Sequence, residues 1–234
     1  LGITAQVLLL RGLETALPDQ HAPELAWRFN SPIGTMGPDN WGTFNEFNTA
    51  GKIAKRLDQV KDGGVTAVIL NGFLSRHTYA NHLSRVEENI RKTVEIAHGM
   101  GMKIIDHQDL TILWNADMGF RFLAANPGYL QHSITTGLPT WGLCPVNSGF
   151  KNDYFFPYIT DFIRKTGVDG LMLDETVFHF ANFCGCSHCR AAFHAKTGVM
   201  LPDDENNPLL HNKESNLWKA WIEWRKHEMA QWRI

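Results

Sequence analysis

The sequence predicts an α/β fold built on parallel strands, and two recurring patterns support this prediction. The first is a set of short segments that are rich in Leu and β-branched residues and lack polar alternation, which is typical of parallel strands covered on both faces. The second is a set of stretches in which apolar residues recur at spacings of three and four before a Gly, which is typical of helices. The two patterns alternate along the chain, as they do in repeated βα units.

The predicted elements follow one another in a regular order. The strands are ELAWRFN (24–30), VTAVILNGF (65–73), MKIIDHQDL (102–110) and VDGLMLDE (168–175). The helices between them cover 49–64, 84–101 and 154–167. Two further helices follow the last strand, one beginning near His188 and a Trp-rich one from about Glu214 onward. Four tryptophans fall on or near one face of this last helix, and such a stripe indicates core packing. They are Trp218, Trp221, Trp224 and Trp232.

The number of predicted strands limits the choice of architecture. No further βα unit follows the fourth strand, whereas a (β/α)8 barrel requires eight. We therefore expect a TIM-barrel type of fold, of which this chain contains the whole or only the N-terminal half, with about four βα units. The 234 residues fit a single domain, 1–234, which is either a catalytic-type α/β barrel or its N-terminal portion.

The charge balance excludes some classes of partner. The 22 Lys and Arg residues are matched by 24 Asp and Glu residues, and the formal net charge is −2. Because positive and negative charges nearly balance, the chain has no strong positive electrostatic field to attract phosphate groups, and we expect no binding to nucleic acid. No apolar run approaches the roughly 18 residues that a membrane span requires, so we expect a soluble protein without a membrane partner. Cytoplasmic and secreted locations both fit this sequence, as does a homo-oligomer.

Polar residues stand at the end of each predicted strand. In parallel α/β folds, ligands bind at the carboxyl ends of the strands and in the loops that follow them. The candidates for binding substrate hydroxyl groups are Arg28, Asn71, Asp106 and His107. The long loops at 32–48 and 111–153 contain Trp41, Trp114 and Trp141, whose rings offer flat faces for a sugar. Taken singly, each of these residues is more commonly a packing residue.

The adjacent acids Asp174 and Glu175 end the fourth predicted strand. Because neighbouring strand residues point to opposite faces, we expect one of the two to be chemical and the other supporting. Flanking by Phe178 and other apolar residues would raise the pKa of the Glu175 carboxyl group, so that it could act as a general acid. The alternative is structural, with Asp174 as a cap and Glu175 in an ion pair with Arg28 or Arg190.

The four cysteines favour a metal site. They are Cys144, Cys184, Cys186 and Cys189, and the last three form a C-x-C-x-x-C cluster. Four thiolates are the full ligand set of a structural zinc site, which has no open position for water. Two disulfides and an iron–sulfur cluster are the alternatives, although pairs within the cluster would close very small rings. The neighbouring His179, His188 and His194 are possible substitute ligands.

The order and spacing of these residues resemble family 42 of the glycoside hydrolases, which are mostly β-galactosidases, and related clan A barrels. In that family, the acid/base glutamate ends strand four and a C-x-C-x-x-C cluster follows nine residues later, as Glu175 and Cys184 do here. The fourth zinc cysteine lies upstream before a Pro and an Asn-containing turn, as Cys144 does in CPVN. The resemblance covers about residues 140–195. The family's Asn before the glutamate is Asp174 in this chain.

The resemblance implies a carbohydrate-acting hydrolase with Glu175 as acid/base, structural Zn²⁺ on the four cysteines, and a nucleophile from a seventh strand. A β-galactoside is one substrate that it suggests. The phrase VDGLMLDE also resembles the strand-four motif of α-fucosidase-like barrel hydrolases, in which the aspartate is the nucleophile, so Asp174 is the alternative catalytic residue. A non-catalytic glycan-binding barrel protein is the alternative function.

Overall fold

The computed structural model describes residues 6–8, 26–36, 49–71, 75–78, 83–113, 116–179, 182–203 and 212–232. The chain divides into two compact units. The sheet unit comprises residues 1–108 and 160–174, and the cysteine unit comprises residues 109–159 and 175–234.

The sheet unit is built on five strands. They are β1 (Gln6–Leu8), β2 (Ile33–Met36), β3 (Ala67–Leu70), β4 (Lys103–Asp109) and β7 (Gly170–Asp174). Their order across the sheet is β1-β7-β4-β3-β2. The pairs β2–β3 and β3–β4 are parallel, whereas β1 pairs antiparallel with β7. The prediction of an α/β fold with a parallel sheet is confirmed, and among the described residues the sheet ends at β1 and β2.

The helices of the sheet unit lie in the connections between strands. They are α1 (Trp27–Asn30), α2 (Ala50–Asp62), α3 (Leu83–Gly99) and α5 (Phe156–Thr166), and a short 3₁₀ turn covers Arg76–Thr78. Helix α2 begins after Thr49, whose side chain caps it by accepting a hydrogen bond from the Lys52 N–H. Gly101 and Gly167, with φ of 75° and 73°, make the left-handed turns into β4 and towards β7.

The first predicted strand is wrong. Residues 27–30 form the short helix α1, and the strand β2 begins three residues after its end. Short apolar runs do not distinguish a helix from a strand by periodicity. Pro32 gives the physical reason for the boundary, because a proline disfavours helical backbone at the residue before it, and Ser31 is extended. The strand β1 lies in the VLLL region and was not predicted.

The core of the sheet unit is apolar and lies between strands and helices. Its fully buried members include Ile53, Leu57, Ala67, Val68, Ile104, Ile105 and Phe162. At the amino ends of the strands, Asp169 accepts hydrogen bonds from the Lys103 Nζ (2.8 Å) and the Ile104 backbone N–H (2.9 Å), and it lies 2.8 Å from the His98 Nε2. Burial raises the pKa of Asp169, but these hydrogen bonds outweigh it and hold the pKa below its ordinary value.

The cysteine unit is mainly helical around a small hairpin. It contains α4 (Ala116–Ala125), α6 (Ser187–Thr197) and α7 (Asn216–Ala230), and the strands β5 (Leu130–His132) and β6 (Pro139–Leu143) pair antiparallel. A π-helical turn, Gly149–Phe155, leads into α5. None of the helices in the described ranges is long and apolar enough to cross a membrane.

The predicted Trp stripe forms core, as expected. Trp221 and Trp224 are buried and stacked, with ring centroids 4.9 Å apart, and Phe193 meets both rings edge-on. Trp232 lies beyond the end of α7 and is buried against Phe150. These rings form part of the core of the cysteine unit.

Candidate functional site

The sheet unit contains a group of polar residues that we name the strand-end cluster. Asn71 follows β3, residues 106–108 end β4, and Asp174 ends β7, so the carboxyl ends of these strands supply the side chains. Arg76, from the 3₁₀ turn, completes the cluster. This is the edge at which parallel sheets bind ligands.

Asp106 is fully buried and forms an ion pair with Arg76, which is also buried. The Gln108 Nε2 donates to Asp106 at 2.6 Å, and the Arg76 Nη1 donates to the His107 carbonyl at 3.1 Å. Burial raises the pKa of Asp106, and Arg76 and Gln108 oppose that effect. Asp106, expected to bind substrate hydroxyl groups, therefore has its carboxylate engaged within the protein.

His107 connects two other members of the strand-end cluster. Its Nδ1 lies 3.2 Å from the Asn71 Oδ1, and its Nε2 lies 3.3 Å from the Asp174 Oδ2. The Asp174 side chain is 26% exposed, so its carboxyl group faces both His107 and solvent.

The other predicted substrate-binding residues differ in their positions. Arg28 lies in α1, before the amino end of β2, because the strand predicted at 24–30 does not form. Arg28 is therefore not at the carboxyl end of a strand. Trp41 and Trp114 lie outside the described residues. Trp141 lies on β6 in the cysteine unit and is 40% exposed.

Glu175 has an unusual backbone conformation. Strand β7 ends at Asp174, and Glu175 follows it with φ of 48°, in the left-handed region that side chains other than Gly rarely adopt. The simple alternation expected for two neighbouring strand residues therefore does not apply to this pair. Such a conformation costs of order 1–3 kcal/mol, and it persists only where surrounding contacts hold it.

Thr111 provides contacts that hold the backbone at Glu175. Its N–H donates to the Glu175 carbonyl at 3.3 Å, and its hydroxyl lies within hydrogen-bonding distance of the same carbonyl. The Val177 N–H donates to the Thr111 Oγ1 at 2.8 Å. Thr111 is completely buried, so these bonds are shielded from water. We name residues 175–179 the acid segment.

Gln131 fixes the other end of the acid segment. Its Nε2 donates to the carbonyl groups of Leu143 (2.9 Å) and Val177 (3.0 Å), and its Oε1 accepts from the His179 N–H (2.9 Å). Because Leu143 belongs to β6, one buried amide side chain attaches the acid segment to this strand.

Trp141 and His179 meet where the acid segment lies beside β6. The two rings are nearly perpendicular, with centroids 4.6 Å apart, and the His179 Nδ1 lies 3.2 Å from the Thr140 Oγ1. A side chain at Gly142 would approach within 3.3 Å of the His179 Nδ1, so Gly142 permits this close packing. Burial lowers the pKa of His179, which favours the neutral imidazole.

In the structural interpretation of Glu175, Arg190 is one of the two predicted ion-pair partners of its carboxylate. Arg190 instead pairs with Asp203 at 2.7 Å and donates to the carbonyl groups of Gly185 and Leu201, each at 2.8 Å. Phe178, expected to flank Glu175, is buried with its ring 5.8 Å from that of Trp224.

The four cysteines form a second feature of the cysteine unit, which we name the four-cysteine centre. All four are buried free thiols, and their sulfur atoms lie within 4.8 Å of one another. The Cys144 Sγ lies 3.5 Å from that of Cys186 and 3.4 Å from that of Cys189. Sulfur atoms bound at about 2.3 Å to one tetrahedral zinc are about 3.8 Å apart, so the donor set fits this metal.

The backbone around the four-cysteine centre is closely packed. A side chain at Gly185 would lie 2.6 Å from the Ile134 Cα, so only glycine fits between Cys184 and Cys186. The Gly185 N–H donates to the His132 carbonyl at 2.7 Å, and the His132 N–H points to the Cys184 Sγ at 3.3 Å. The hairpin β5–β6 thus supports the cluster.

The thiols influence one another's ionisation. Hydrogen bonds from Cys144, Cys184 and Cys189 lower the pKa of Cys186, whereas burial raises the pKa of Cys189. The ionisation of each thiol thus depends on its neighbours, and binding of a metal cation requires that the ligating thiols lose their protons. Of the three histidines considered as substitute ligands, His188 and His194 are exposed and His179 contacts Thr140.

Sequence reasoning did not identify Arg76, Thr111 and Gln131. All three are polar and buried, and each organises other site residues by hydrogen bonds. The sequence shows no periodic or spacing pattern for them, since each forms a hydrogen bond with a site residue at least 30 positions away in the chain.

A scan against protein-family models found no match, and a comparison with curated proteins found no significant match. Among solved structures, the chain is similar to an α-amylase from Geobacillus thermoleovorans in complex with acarbose, at 17% identity and a TM-score of 0.46, over 63% of this chain and 40% of that chain.

Two further structures show a similarity of the same order. An α-galactosidase from Lactobacillus brevis is 17% identical with a TM-score of 0.42, over 59% of this chain and 19% of that chain. A hypothetical protein from Ruminiclostridium thermocellum is 11% identical with a TM-score of 0.41, over 85% of this chain and 91% of that chain. The chain thus spans about two fifths of the length of the amylase, and the similarities are distant.

Proposed function

We propose that this chain is a glycoside hydrolase, or the N-terminal portion of one, in which Glu175 is the general acid/base. The observation that carries the proposal is the left-handed backbone of Glu175 at the end of β7, held by Thr111. Backbone strain of this kind concentrates at functional sites, because it fixes the direction of a reactive side chain. A β-galactoside remains one candidate substrate.

Trp141 is the proposed contact for the sugar ring. It is exposed although most described Trp side chains are buried or partly buried, and His179 supports it edge-on. The apolar face of a pyranose packs on such a ring, while Thr140 and Gln131 keep its surroundings fixed. Asn71 and His107 are the proposed hydroxyl-binding residues of the sheet unit.

The proposed chemistry is proton transfer to the glycosidic oxygen. The Glu175 carboxyl group donates its proton to the glycosidic oxygen while a carboxylate nucleophile, which the family resemblance places on a seventh strand, forms a bond to the anomeric carbon. The Glu175 carboxylate then takes a proton from the water that displaces this nucleophile. General acid/base catalysis of this type contributes typically 10²–10⁴-fold to the rate.

The proposal assigns Zn²⁺ to the four-cysteine centre, with Cys144, Cys184, Cys186 and Cys189 as its ligands. When bound there, the metal would cross-link the segments that carry the cysteines. It would not activate a water molecule, because four thiolates fill its coordination sphere. The cysteines join the end of β6 to the start of α6, and the acid segment lies between these elements in the sequence.

Asp174 is the second candidate for the catalytic residue, as the nucleophile of an α-fucosidase-like enzyme. The contact between its Oδ2 and the His107 Nε2 (3.3 Å) favours this alternative, because a histidine can orient a carboxylate and stabilise its charge.

Substrates whose leaving groups differ in acidity distinguish Glu175 as the acid/base from Asp174 as the nucleophile. The wild-type chain, Glu175→Gln and Asp174→Asn are assayed with aryl β-galactosides, α-fucosides and α-glucosides that carry either phenol or dinitrophenol. We expect kcat/KM of Glu175→Gln to fall about 10²–10⁴-fold with the phenyl glycosides and little with dinitrophenyl glycosides, because dinitrophenol needs no protonation to leave. The comparison uses kcat/KM, which reports the step in which the leaving group departs, because loss of the base in the second step lowers kcat with both substrates.

A nucleophile variant, by contrast, loses activity with both leaving groups. The exposed Glu223 is the matched control, and Glu223→Gln should behave as the wild type. Equal losses of Glu175→Gln with both substrates would exclude an acid role for Glu175. If the full-length protein binds glycans but cleaves none of the substrates, the glycan-binding alternative is supported instead.

A further inference from the structure

Arg225 is a cation on α7 that packs against aromatic rings. Its guanidinium carbon lies 4.7 Å from the centroid of Phe178 and 5.8 Å from that of Trp221. Its Nη2 donates to the Phe178 carbonyl at 3.4 Å. Cation–π contacts of this kind stabilise a guanidinium that has lost part of its water.

The rings under Arg225 belong to the same buried cluster as the four-cysteine centre. This cluster contains Phe178, Trp221, Trp224 and all four cysteines. The Trp224 Nε1 is buried and has no hydrogen-bond partner among the described residues. The four-cysteine centre and the two rings that Arg225 contacts therefore belong to one buried cluster.

The charge of a four-thiolate metal site requires compensation. Four thiolates around one divalent cation leave a net double negative charge, and burying such a charge among aromatic rings is costly unless a cation lies nearby. Burial lowers the pKa of Arg225 to about 10, and the negative charges of the Cys189 and Cys184 thiolates oppose this effect. Arg225 is therefore charged at neutral pH.

Arg190 is the other arginine near the cysteines, and its contacts differ. Its charge is paired with the Asp203 carboxylate, and its hydrogen bonds go to the backbone carbonyl groups of Gly185, Leu201 and Ile134. Arg190 therefore holds the loop around the thiols and is paired with Asp203, whereas Arg225 stacks on two rings of the cluster that contains the thiols.

We propose that Arg225 is the counter-cation of the four-cysteine centre and increases its affinity for a divalent metal ion. Arg225 is a positioning residue that touches no metal, and its contribution is electrostatic. This inference rests on the metal site proposed above. Arginine suits the role because its flat guanidinium is weakly hydrated and stacks on rings.

The test measures zinc affinity in the full chain by competition with a chromogenic chelator. We expect Arg225→Gln to bind zinc about 10–100-fold more weakly than the wild type, the range typical of residues that support metal ligands. Arg225→Lys keeps the charge and should recover most of that loss. Lys226→Gln is the matched control, because it removes the same charge from the next, exposed residue and should not change the affinity.

The absorption spectrum of the Co²⁺-loaded protein gives a second readout. We expect the spectrum of a four-thiolate site in the wild type, Arg225→Gln and Arg225→Lys alike, because Arg225 is not a ligand. If Arg225→Gln does not fold, the zinc affinity of Arg225→Lys tests the role of charge. A lysine variant that binds zinc nearly as tightly as the wild type supports that role.

Three results would overturn the inference. Unchanged zinc affinity in Arg225→Gln would remove the role of Arg225 and leave the metal site standing. Equal losses in Arg225→Gln and Arg225→Lys would assign the effect to packing and not to charge. A wild-type chain that binds no metal would remove the metal site and the inference together.

Discussion

The strand-end cluster and the acid segment position polar side chains in two different ways. In the sheet unit, Asn71, Asp106 and Asp174 end or follow regular strands, so strand register brings them to one edge. In the cysteine unit, Glu175 stands on irregular backbone that two buried side chains, Thr111 and Gln131, hold in place. The difference shows that backbone register brings groups on regular strands together, whereas a group on a loop depends on a few specific hydrogen bonds for its backbone position.

The two regions also differ in how they neutralise buried charge. The strand-end cluster pairs Asp106 with Arg76 directly. The four-cysteine centre gathers groups that become anionic together, and such a site is stabilised by a metal cation. The sheet unit thus neutralises Asp106 with its own side chain, whereas the cysteine unit would use an added ion under the proposed zinc assignment. The following predictions test this contrast, beginning with the largest expected effect.

Loss of a thiol from the four-cysteine centre should destabilise the cysteine unit selectively. For Cys186→Ser, we expect a loss of several kcal/mol of folding free energy, because structural zinc sites contribute about 10–16 kcal/mol of apparent binding energy. Hydrogen exchange is the measurement, and protection should fall in residues 130–146 and 182–197 while β3 and β4 retain theirs. A uniform fall across both units would contradict the selective dependence on the metal site.

Arg76→Met should be the most damaging single change in the strand-end cluster. It leaves the Asp106 carboxylate buried without its partner, which costs about 3–5 kcal/mol in comparable cases. Denaturant unfolding measures this cost, and the double variant Arg76→Met/Asp106→Leu should recover much of it. Arg91→Met is the control, because Arg91 is 40% exposed in its ion pairs with Glu88 and Glu95 and should change stability by less than about 1 kcal/mol.

Acid should weaken the amino end of the sheet by a smaller amount. The folded-state pKa of Asp169 lies below its unfolded value, so its contribution is complete above the unfolded pKa and is lost as the pH falls through the folded pKa. We expect wild-type stability to fall from about pH 4 downward. In Asp169→Asn, unfolding curves should show a weaker pH dependence in this window, and an identical dependence would contradict the assignment.

The parts of the fold that follow from local patterns were predicted from the sequence. The strands β3, β4 and β7 and the helices α2, α3 and α5 combine apolar runs or helical periodicity with a Gly stop. The strand at 24–30 failed because its apolar run is short and Pro32 sets the boundary. The misplacement of Arg28 follows from that error.

The candidate site was predicted only where chemistry fixes the spacing. The gathering of the four cysteines was predictable, because a shared metal requires a set of ligands with short separations. Thr111, Gln131 and Arg76 act on residues distant in sequence, and their partners become neighbours only through the tertiary fold. The conformation of Glu175 depends on such contacts, so no local pattern indicates it.

The buried hydroxyl of Thr111 has a consequence for engineering this protein. One oxygen atom serves both the carbonyl of Glu175 and the amide of Val177. Residues 111 and 175–179 therefore constitute one transplantable module, and a loop graft or a chimera that takes one piece from a different parent than the other would separate an acid from its support.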